Sequence, residues 1–408
     1  MTGQGERIEL RIDEIAAGGD GVGRDTDGRV TFVPRAAPGD LLEVELVQVR
    51  KDFARGRVVS VVQASKHRIE APCRYFAKGR CGGCQWQHIS MDEQRRSKLA
   101  IAKRALRKLV DAGLELGPLL TPVADYHWRR RARLHWFRAP AATRAEIGFF
   151  APKSQFVSDV GECLQLSEQL SSALAATRSA LGPSLHGRGT LHLLEGTEGA
   201  HVAIEGACRP GAAESLASAA GIAGVRLNDR VFGAESVTID GAGASADDFA
   251  QASDAGNQAI RQLVAQLSGP WRQGARVLEL YAGAGNLTSA LAGARVTAVE
   301  RQPQRHTGAE VEWRVGDAAE VTAALATAGE RFEGVVLDPP RQGAKDAMPE
   351  VVRLAPAHVV YVSCNPATLA RDAQVLAEAG YRPTQGQVVD SMPQTSHLEV
   401  IVAFERGS

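Results

Sequence analysis

Long apolar runs, a secretory signal and net charge are all missing from this sequence. No apolar run approaches the roughly 20 residues of a membrane-spanning helix. Residues 1–10 carry Glu6, Arg7 and Glu9 and lack the apolar segment of a secretory signal. These absences argue against a membrane protein and against a secreted one, so we expect a cytoplasmic location.

The absence of net charge, with 47 basic and 47 acidic residues, argues on its face against a nucleic-acid partner. The charges are unevenly distributed, however. Residues 50–138 contain about 21 Lys and Arg against about 7 Asp and Glu, which leaves the remainder of the chain acidic. A locally basic stretch is typical of a surface that binds phosphate groups. Solvated helix surfaces in an Arg-rich protein would give the same pattern, so both interpretations stay open.

The chain is too long for one ordinary domain, and its pattern divides it into three. Residues 1–64 contain four runs with strand character, at 8–15, 29–33, 41–49 and 53–62, with turn-rich segments between them. Short strands at this spacing predict a small closed barrel of the OB type, which commonly binds single-stranded nucleic acid. Residues 65–245 predict a mixed α/β central domain, and residues 246–408 form the third domain.

The six cysteines are unevenly spaced. Cys73, Cys81 and Cys84 lie close together in the central domain, just ahead of a helix whose start is marked by a capping-box pattern at 90–93. Cys163 follows at a distance, and Cys208 is expected to be a packing residue. In an intracellular protein, clustered cysteines favour metal binding or catalysis over disulfides.

Helical and strand patterns alternate in residues 246–408. A helix at 249–267 is followed by strands at 276–280, 295–300, 311–315, 334–337, 359–363, 387–390 and 398–404. This alternation predicts a mainly parallel sheet covered by helices on both faces. The last two strands are close in sequence, so we expect them to pair antiparallel at one edge.

The first strand of this sheet runs into a glycine loop with Gly283 and Gly285, and we expect a helix after it. Glycines let the backbone approach a ligand closely, and ligands bind at the carboxyl edge of such sheets. The next strand ends in Glu300, which is well placed to accept hydrogen bonds from a ribose diol. NAD and S-adenosylmethionine both fit this feature, although the third glycine of a dinucleotide site is missing. Asp317 is either an adenine contact or a helix cap.

Three strings are expected at one rim of the sheet, because each begins or ends a strand beside the glycine loop. They are Asp-Pro-Pro-Arg at 338–341, Ser-Cys-Asn-Pro at 363–366 and Ser-His-Leu-Glu-Val at 396–400. With these strings the chain resembles, over essentially its whole length, the uracil-5 RNA methyltransferases that combine a TRAM domain with an iron–sulfur cluster. The resemblance implies a C-terminal class I (Rossmann-like) methyltransferase domain, an N-terminal OB-like TRAM barrel and a mixed α/β domain between them.

By this resemblance, Cys364 is the nucleophile that adds to carbon 6 of a uracil, and Glu399 is the base that removes the carbon-5 proton. The addition makes an enolate whose carbon 5 can take the methyl group of S-adenosylmethionine, which is covalent catalysis. The target base must leave its stack to reach the thiol. His397 is assigned to orienting the rim. The residues implied to line the cofactor and target base are Gln251, Tyr281, Asn286, Glu300 and Asp338.

The resemblance also implies that four thiolates hold a [4Fe–4S] cluster. The residues concerned are Cys73, Cys81, Cys84 and Cys163. The gap between Cys73 and Cys81 is longer than the family pattern, and a structural zinc site is the alternative. Since the methylation chemistry needs no redox step, the cluster is expected to organise the central domain for RNA.

Other classes of protein explain less of the sequence. Amino-group methylases of nucleic acid place an aromatic residue where this chain has Arg341, and cytosine-5 RNA methylases use two cysteines at the rim, where only Cys364 is available. An NAD-dependent oxidoreductase or a non-catalytic RNA-binding module leaves the rim strings unexplained. We therefore expect a monomeric RNA methyltransferase without an obligate protein partner. Its expected substrate is 23S ribosomal RNA, with tRNA as the alternative.

Overall fold

A computed structural model describes residues 3–269, 271, 273–302 and 311–407. Within these ranges the strands form a six-stranded sheet, a seven-stranded sheet, an eight-stranded sheet and a small two-stranded ribbon. No helix in the described ranges is both long enough and apolar enough to cross a bilayer.

The N-terminal sheet forms because its strands alternate between buried apolar and exposed polar residues, as in Leu41–Val49. Its spatial order is β1-β5-β6-β4-β3-β2. The sheet curls on itself and brings its third strand against its first. The approach is so close that a Cβ on Gly23 would lie 2.0 Å from the carbonyl oxygen of Arg11. The predicted OB-like barrel is therefore confirmed. Its strands are β1 (Arg7–Arg11), β2 (Glu14–Ile15), β3 (Gly21–Arg24), β4 (Val30–Val33), β5 (Leu41–Val49) and β6 (Phe53–Gln63).

A segment of helices and one strand follows the barrel. The long helix begins after Ser90, where the sequence predicted a start. The capping bond that the pattern predicts is absent: the Ser90 side chain makes no hydrogen bond to the first turn of this helix. The elements are α1 (Arg74–Ala77), α2 (Met91–Ala105), α3 (Arg107–Asp111) and β7 (Glu115–Leu120).

The central domain is a mixed sheet covered on one face by two helices. Its core includes Leu134, Trp136, Leu170 and Val225, and its strand order is β10-β9-β8-β11-β12-β13-β14. The strands are β8 (Arg131–Phe137), β9 (Glu146–Phe150), β10 (Val157–Asp159), β11 (Leu185–Gly196), β12 (Gly199–Cys208), β13 (Ile222–Leu227) and β14 (Arg230–Gly233). The helices are α4 (Glu168–Leu181) and α5 (Pro210–Ala217), and the ribbon is β15 (Val237–Ile239) with β16 (Ala242–Ala244).

The C-terminal domain has the predicted sheet with a buried apolar layer on each face. Its strand order is β19-β18-β17-β20-β21-β23-β22-β7, and β23 runs antiparallel to both of its neighbours. The strands are β17 (Arg276–Leu280), β18 (Arg295–Glu300), β19 (Val311–Val315), β20 (Gly334–Leu337), β21 (His358–Ser363), β22 (Tyr381–Val389) and β23 (Glu399–Arg406). The helices are α6 (Asp254–Leu267), α7 (Ala318–Thr327), α8 (Met348–Leu354) and α9 (Pro366–Glu378).

Two local predictions in this domain were wrong. The helix expected from residue 249 begins at Asp254, because the preceding residues form an extended segment whose backbone bonds to Arg130. The helix expected after the glycine loop is only a 3₁₀ turn, Thr288–Ala290. Residues 286–292 span fewer than two α-helical turns before Gly293 turns the chain into β18, which leaves no room for a longer helix.

The antiparallel pair β22–β23 is present, but it does not form the edge of the sheet. Strand β7 pairs parallel with β22, with Leu120 opposite Val389. Helix α2 accompanies β7, and its buried Ala102 joins the same apolar cluster as Leu376 and Phe404. Residues 91–120, which the sequence assigned to the central domain, therefore pack with the C-terminal sheet.

Candidate active site

The predicted site residues meet at one rim of the C-terminal sheet. Parallel strands β17, β20 and β21 are in register there, and each ends beside the next. Strand β23 is antiparallel, so its first residues lie at the same rim, with Val400 opposite Ser363. Cys364 directly follows Ser363 and Glu399 directly precedes Val400, so both lie at this rim, close enough for the charge of Glu399 to act on the thiol.

The rim places the carboxyl groups of Asp338 and Glu399 near the Cys364 thiol. Burial raises the pKa of Asp338 to about 7. Burial and then the charge of Asp338 raise the pKa of Glu399 well above its ordinary value, whereas Arg341 lowers it. Burial, followed by the charges of Glu399 and Asp338, raises the pKa of Cys364 to about 11, and Arg341 again opposes the rise. The thiol and the two carboxyl groups are therefore electrically coupled, with Arg341 as the cation that acts on both Cys364 and Glu399.

The Ser-Cys-Asn-Pro string builds the turn that presents the thiol. The main-chain N–H of Asn365 donates to the Ser363 hydroxyl at 3.0 Å, and the Asn365 side-chain oxygen caps α9 by accepting from the main-chain N–H of Ala367 at 3.2 Å. The Asn365 side-chain nitrogen also donates to the Arg341 carbonyl at 3.0 Å. The residues on both sides of Cys364 are thus fixed by local hydrogen bonds.

His397 lies against Arg341. A guanidinium nitrogen of Arg341 is 3.2 Å from Nδ1 and 3.1 Å from Nε2 of the His397 ring. Burial, with the charge of Arg341 next in size, lowers the pKa of His397 to about 4, so the imidazole is neutral at physiological pH. This contact joins the two strings 338–341 and 396–400 at the rim.

The glycine loop forms a concave backbone beside Glu300. Tyr281, Gly283 and Gly285 all have positive φ, at 61°, 56° and 86°. The Gly283 amide donates to Glu300 Oε2 at 3.0 Å, which fixes the carboxylate next to the loop. A tight turn of this kind leaves backbone groups facing outward for a ligand.

Asn286 forms a reciprocal amide pair that sequence reasoning did not find. Its side chain donates to and accepts from the Asn257 side chain, each at 2.8 Å. Asn257 lies on α6 and is buried. Nothing in the local sequence around Asn257 distinguishes it from other helix residues, because the pairing depends on how α6 packs against the loop.

Two predicted residues lie at the margin of this rim. Asp317 caps α7 by accepting from the Ala319 amide at 2.9 Å, and it pairs with Arg301 at 2.6 Å. The helix-cap interpretation is therefore present in the structure, and an adenine contact stays a prediction. Gln251 lies in the extended segment before α6, where its carbonyl accepts from Arg130 at 3.2 Å.

The four clustered cysteines line one cavity of about 210 Å³ in the central domain. The Gln87 side chain donates to the sulfur of Cys84 at 3.2 Å. Burial, together with the charge of neighbouring thiols, raises the pKa of Cys81 to about 11 and that of Cys84 to about 12. The guanidinium of Arg129 lines the same cavity. In the described ranges, no group of three or more His, Cys, Asp or Glu residues is arranged to hold a metal ion.

The fold and site define a class I methyltransferase with an OB-like barrel before it. Family models match the chain as a TRAM domain over residues 2–59 and as a tRNA (Uracil-5-)-methyltransferase over residues 325–407. The 23S rRNA (uracil(1939)-C(5))-methyltransferase RlmD of Salmonella paratyphi A is 34% identical over 98% of this chain and 96% of its own. The enzyme of the same name from Halomonas elongata is 34% identical, over 99% and 90%.

The chain therefore belongs to the family of RNA uracil-5 methyltransferases, whose methyl donor is S-adenosylmethionine. A solved structure supports the fold. The tRNA (uracil-54, C5)-methyltransferase of Pyrococcus abyssi, in complex with S-adenosyl-L-homocysteine, matches with a TM-score of 0.72 at 22% identity, over 97% of this chain and 99% of that one.

Proposed function

We propose that this enzyme methylates carbon 5 of one uridine in structured 23S ribosomal RNA through a covalent adduct with Cys364. The observation that carries the proposal is that Cys364 and Glu399 adjoin the facing pair Ser363 and Val400, at the rim that also holds the glycine loop and Glu300. The relatives named for 23S rRNA favour ribosomal RNA. A tRNA substrate is the second candidate, since the Pyrococcus abyssi enzyme named for tRNA shares the whole architecture.

The reaction needs covalent help because carbon 5 of uracil is a poor nucleophile. The Cys364 thiolate forms a bond to carbon 6, and the electrons of the 5,6 double bond move to the O4 enolate. Carbon 5 then attacks the methyl group, and the bond from that methyl to the sulfonium breaks to leave S-adenosylhomocysteine. Glu399 takes the carbon-5 proton, the double bond re-forms, and the thiolate leaves.

The rim residues have distinct contributions to these steps. Arg341 lowers the pKa of Cys364 and so favours the attacking thiolate. Burial raises the pKa of Glu399, which makes its carboxylate a stronger base toward the carbon-5 proton. The uridine must be flipped out of its stack to reach this rim. We assign His397 to orienting Arg341, which it contacts.

The cofactor is proposed to lie along the glycine loop. Glu300 would accept hydrogen bonds from the ribose hydroxyls, because the loop amide of Gly283 already fixes its carboxylate at the rim. The asparagine pair of Asn286 and Asn257 would hold the loop open for the donor. The further residues proposed to line the donor and target base are Gln251, Tyr281, Asp317 and Asp338.

We propose that Cys73, Cys81, Cys84 and Cys163, which line one cavity, hold a [4Fe–4S] cluster. Each thiolate would bind a different iron, so the four sulfurs need not converge on one metal ion. The charge of Arg129 at the cavity would offset that of the thiolates. The cluster supplies no step of the methyl transfer and would act by fixing this segment. Anaerobic purification should yield a brown protein with iron and sulfide in equal amounts. A colourless preparation with stoichiometric zinc would overturn the assignment.

Tritium release tests the reaction. Transcripts of 23S rRNA with tritium at uridine carbon 5 should release it in the presence of the enzyme and S-adenosylmethionine, and tRNA transcripts serve as the comparison. Glu399→Gln should slow release and trap an RNA–protein adduct that survives denaturation. An adduct that persists when Cys364 is also replaced by Ala would overturn the mechanism. Mapping 5-methyluridine in a deletion strain distinguishes the two RNA substrates.

A further inference from the structure

The loop that leads to Glu399, residues 390–398, is held mainly by residues from outside the C-terminal domain. This loop joins β22 to β23 and carries His397. In the β22–β23 ladder Val389 lies opposite Glu399, and the first loop residue, Asp390, directly follows Val389. What fixes Asp390 and the residues after it therefore bears on the position of Glu399.

Gln94, in the first turns of α2, forms a reciprocal pair with the middle of this loop. Its side-chain nitrogen donates to the side-chain oxygen Oε1 of Gln394 at 3.0 Å, and its side-chain oxygen accepts from the main-chain N–H of Gln394 at 3.0 Å. Gln94 is fully buried, and Gln394 has a positive φ of 66°, a conformation that non-glycine residues adopt only when their surroundings impose it. The bonds from α2 supply that constraint.

The segment just before α2 holds the same loop from its backbone. The main-chain amides of Gln85 and Trp86 donate to the Gln394 carbonyl at 3.0 and 3.1 Å. The Gln85 side chain accepts from the Ser396 amide at 3.3 Å, and the Trp86 indole donates to the Gly19 carbonyl of the barrel at 3.0 Å. The loop is thus held at Gln394 and at Ser396.

Lys98, one turn further along α2, holds the start of the loop. Its ammonium lies 2.5 Å from Asp390 Oδ1, and it donates to the Met392 carbonyl at 3.0 Å. The side chains of Lys98 and Asp390 are exposed by no more than 1%. A charged pair enclosed to this degree has few alternative geometries, because either group would lose its partner without gaining water.

We propose that Gln94 and Lys98 are positioning residues for the base: they fix loop 390–398 so that the Glu399 carboxylate stays beside the Cys364 thiol. This inference deepens the proposed function and rests on it. Displacement by about 1 Å can slow a proton transfer by up to roughly 100-fold. Methyl transfer comes before that proton transfer, so a displaced Glu399 should stall the enzyme as the methylated adduct.

The test compares Gln94→Leu with Gln374→Leu, the same substitution at an exposed site on α9. Three quantities are measured: the affinity for S-adenosylmethionine, the adduct that survives denaturation, and the tritium released. For Gln94→Leu we expect cofactor affinity within about twofold of wild type and a ratio of adduct to released tritium raised roughly tenfold or more. Gln374→Leu should match wild type in all three.

A merely structural role would lower cofactor binding, adduct and release together, and an unchanged ratio in a folded Gln94→Leu protein overturns the proposal. If that variant does not bind cofactor, the ratio is measured in the double variant Lys98→Met, Asp390→Asn, which carries no unpaired buried charge. An unchanged ratio there overturns it equally. Wild-type enzyme that releases no tritium from either RNA instead refutes the proposed function itself.

Discussion

Replacing Lys98 by Met should destabilise the protein strongly, because it leaves Asp390 charged and enclosed without a partner. Methionine has nearly the same length, so packing against Trp86, whose ring centroid lies 5.7 Å from the ammonium, is largely retained. Removing one member of a buried ion pair costs about 3–5 kcal/mol. The lost bond to the Met392 carbonyl is part of that cost.

The matched change is Asp390→Asn in the Lys98→Met background. It removes the stranded charge, and we expect it to restore about half of the loss, since neutral replacements of buried ion pairs are often close to neutral in stability. Restoration should be incomplete because Asp390 Oδ2 has no hydrogen-bond partner among the described residues, so the new amide would add a group that the site cannot satisfy.

Equilibrium unfolding in urea, carried out on wild type, both single variants and the double variant, gives the coupling free energy directly. We expect the two single losses to sum to clearly more than the loss in the double variant. Equal unfolding free energies for wild type and Lys98→Met would refute the reasoning. So would a double variant whose loss equals the sum of the single losses.

Three further predictions follow from other contacts. Glu300→Gln should weaken binding of S-adenosylmethionine about tenfold in calorimetry, since hydrogen bonds to a charged group are worth about 1.5–3 kcal/mol, while RNA retention on filters stays unchanged. Gly23→Ala should destabilise the barrel by about 1–3 kcal/mol in thermal unfolding, because the new methyl group would overlap the carbonyl of Arg11. Burial raises the pKa of Asp40, but hydrogen bonds from Arg68 and two main-chain amides outweigh it and lower the pKa below 3.8. Asp40→Asn should therefore cost about 2–3 kcal/mol at pH 7, a difference that disappears as the pH falls through the lowered pKa.

Each of these has a result that would contradict it. A Glu300→Gln protein that loses RNA binding along with cofactor binding would indicate general misfolding. A Gly23→Ala protein with an unchanged midpoint would mean that the barrel can open at this point. A stability difference for Asp40→Asn that does not shrink as the pH is lowered from 7 would exclude the carboxylate as its source.

The sequence identified the rim residues because their positions follow from strand ends. Cys364 follows the carboxyl end of β21, and Glu399 begins the antiparallel strand β23, so both lie at the same edge of the sheet. Their roles came from the family resemblance. The OB-like barrel was predictable for a similar reason, since its strands alternate clearly. The roles of the individual site residues, the cluster, the monomeric state and the domain boundaries stay predictions.

The elements that were missed depend on contacts far apart in the chain. Strand β7 contains Gly117 and Pro118, which disfavour strand structure except at an edge, and its pairing with β22 is parallel and distant. Gln94 sits among charged residues on a helix that looks solvent-exposed from its sequence. Its burial results from the docking of α2 on a loop that follows about 300 residues later. No local pattern encodes such a contact.

The docking of α2 and β7 also sets an order of events during synthesis. Strand β7 ends at Leu120, and its partner β22 begins at Tyr381, so roughly 260 residues must be made before the two can pair. At about 5–20 residues per second, that interval lasts about 13–52 s. Throughout it, the apolar side of α2 and the open edge of β7 have no native partner, which is the situation in which unpaired strands associate with other chains. We therefore expect the nascent chain to bind a chaperone at residues 91–120 and to release it only when the last two strands emerge from the ribosome.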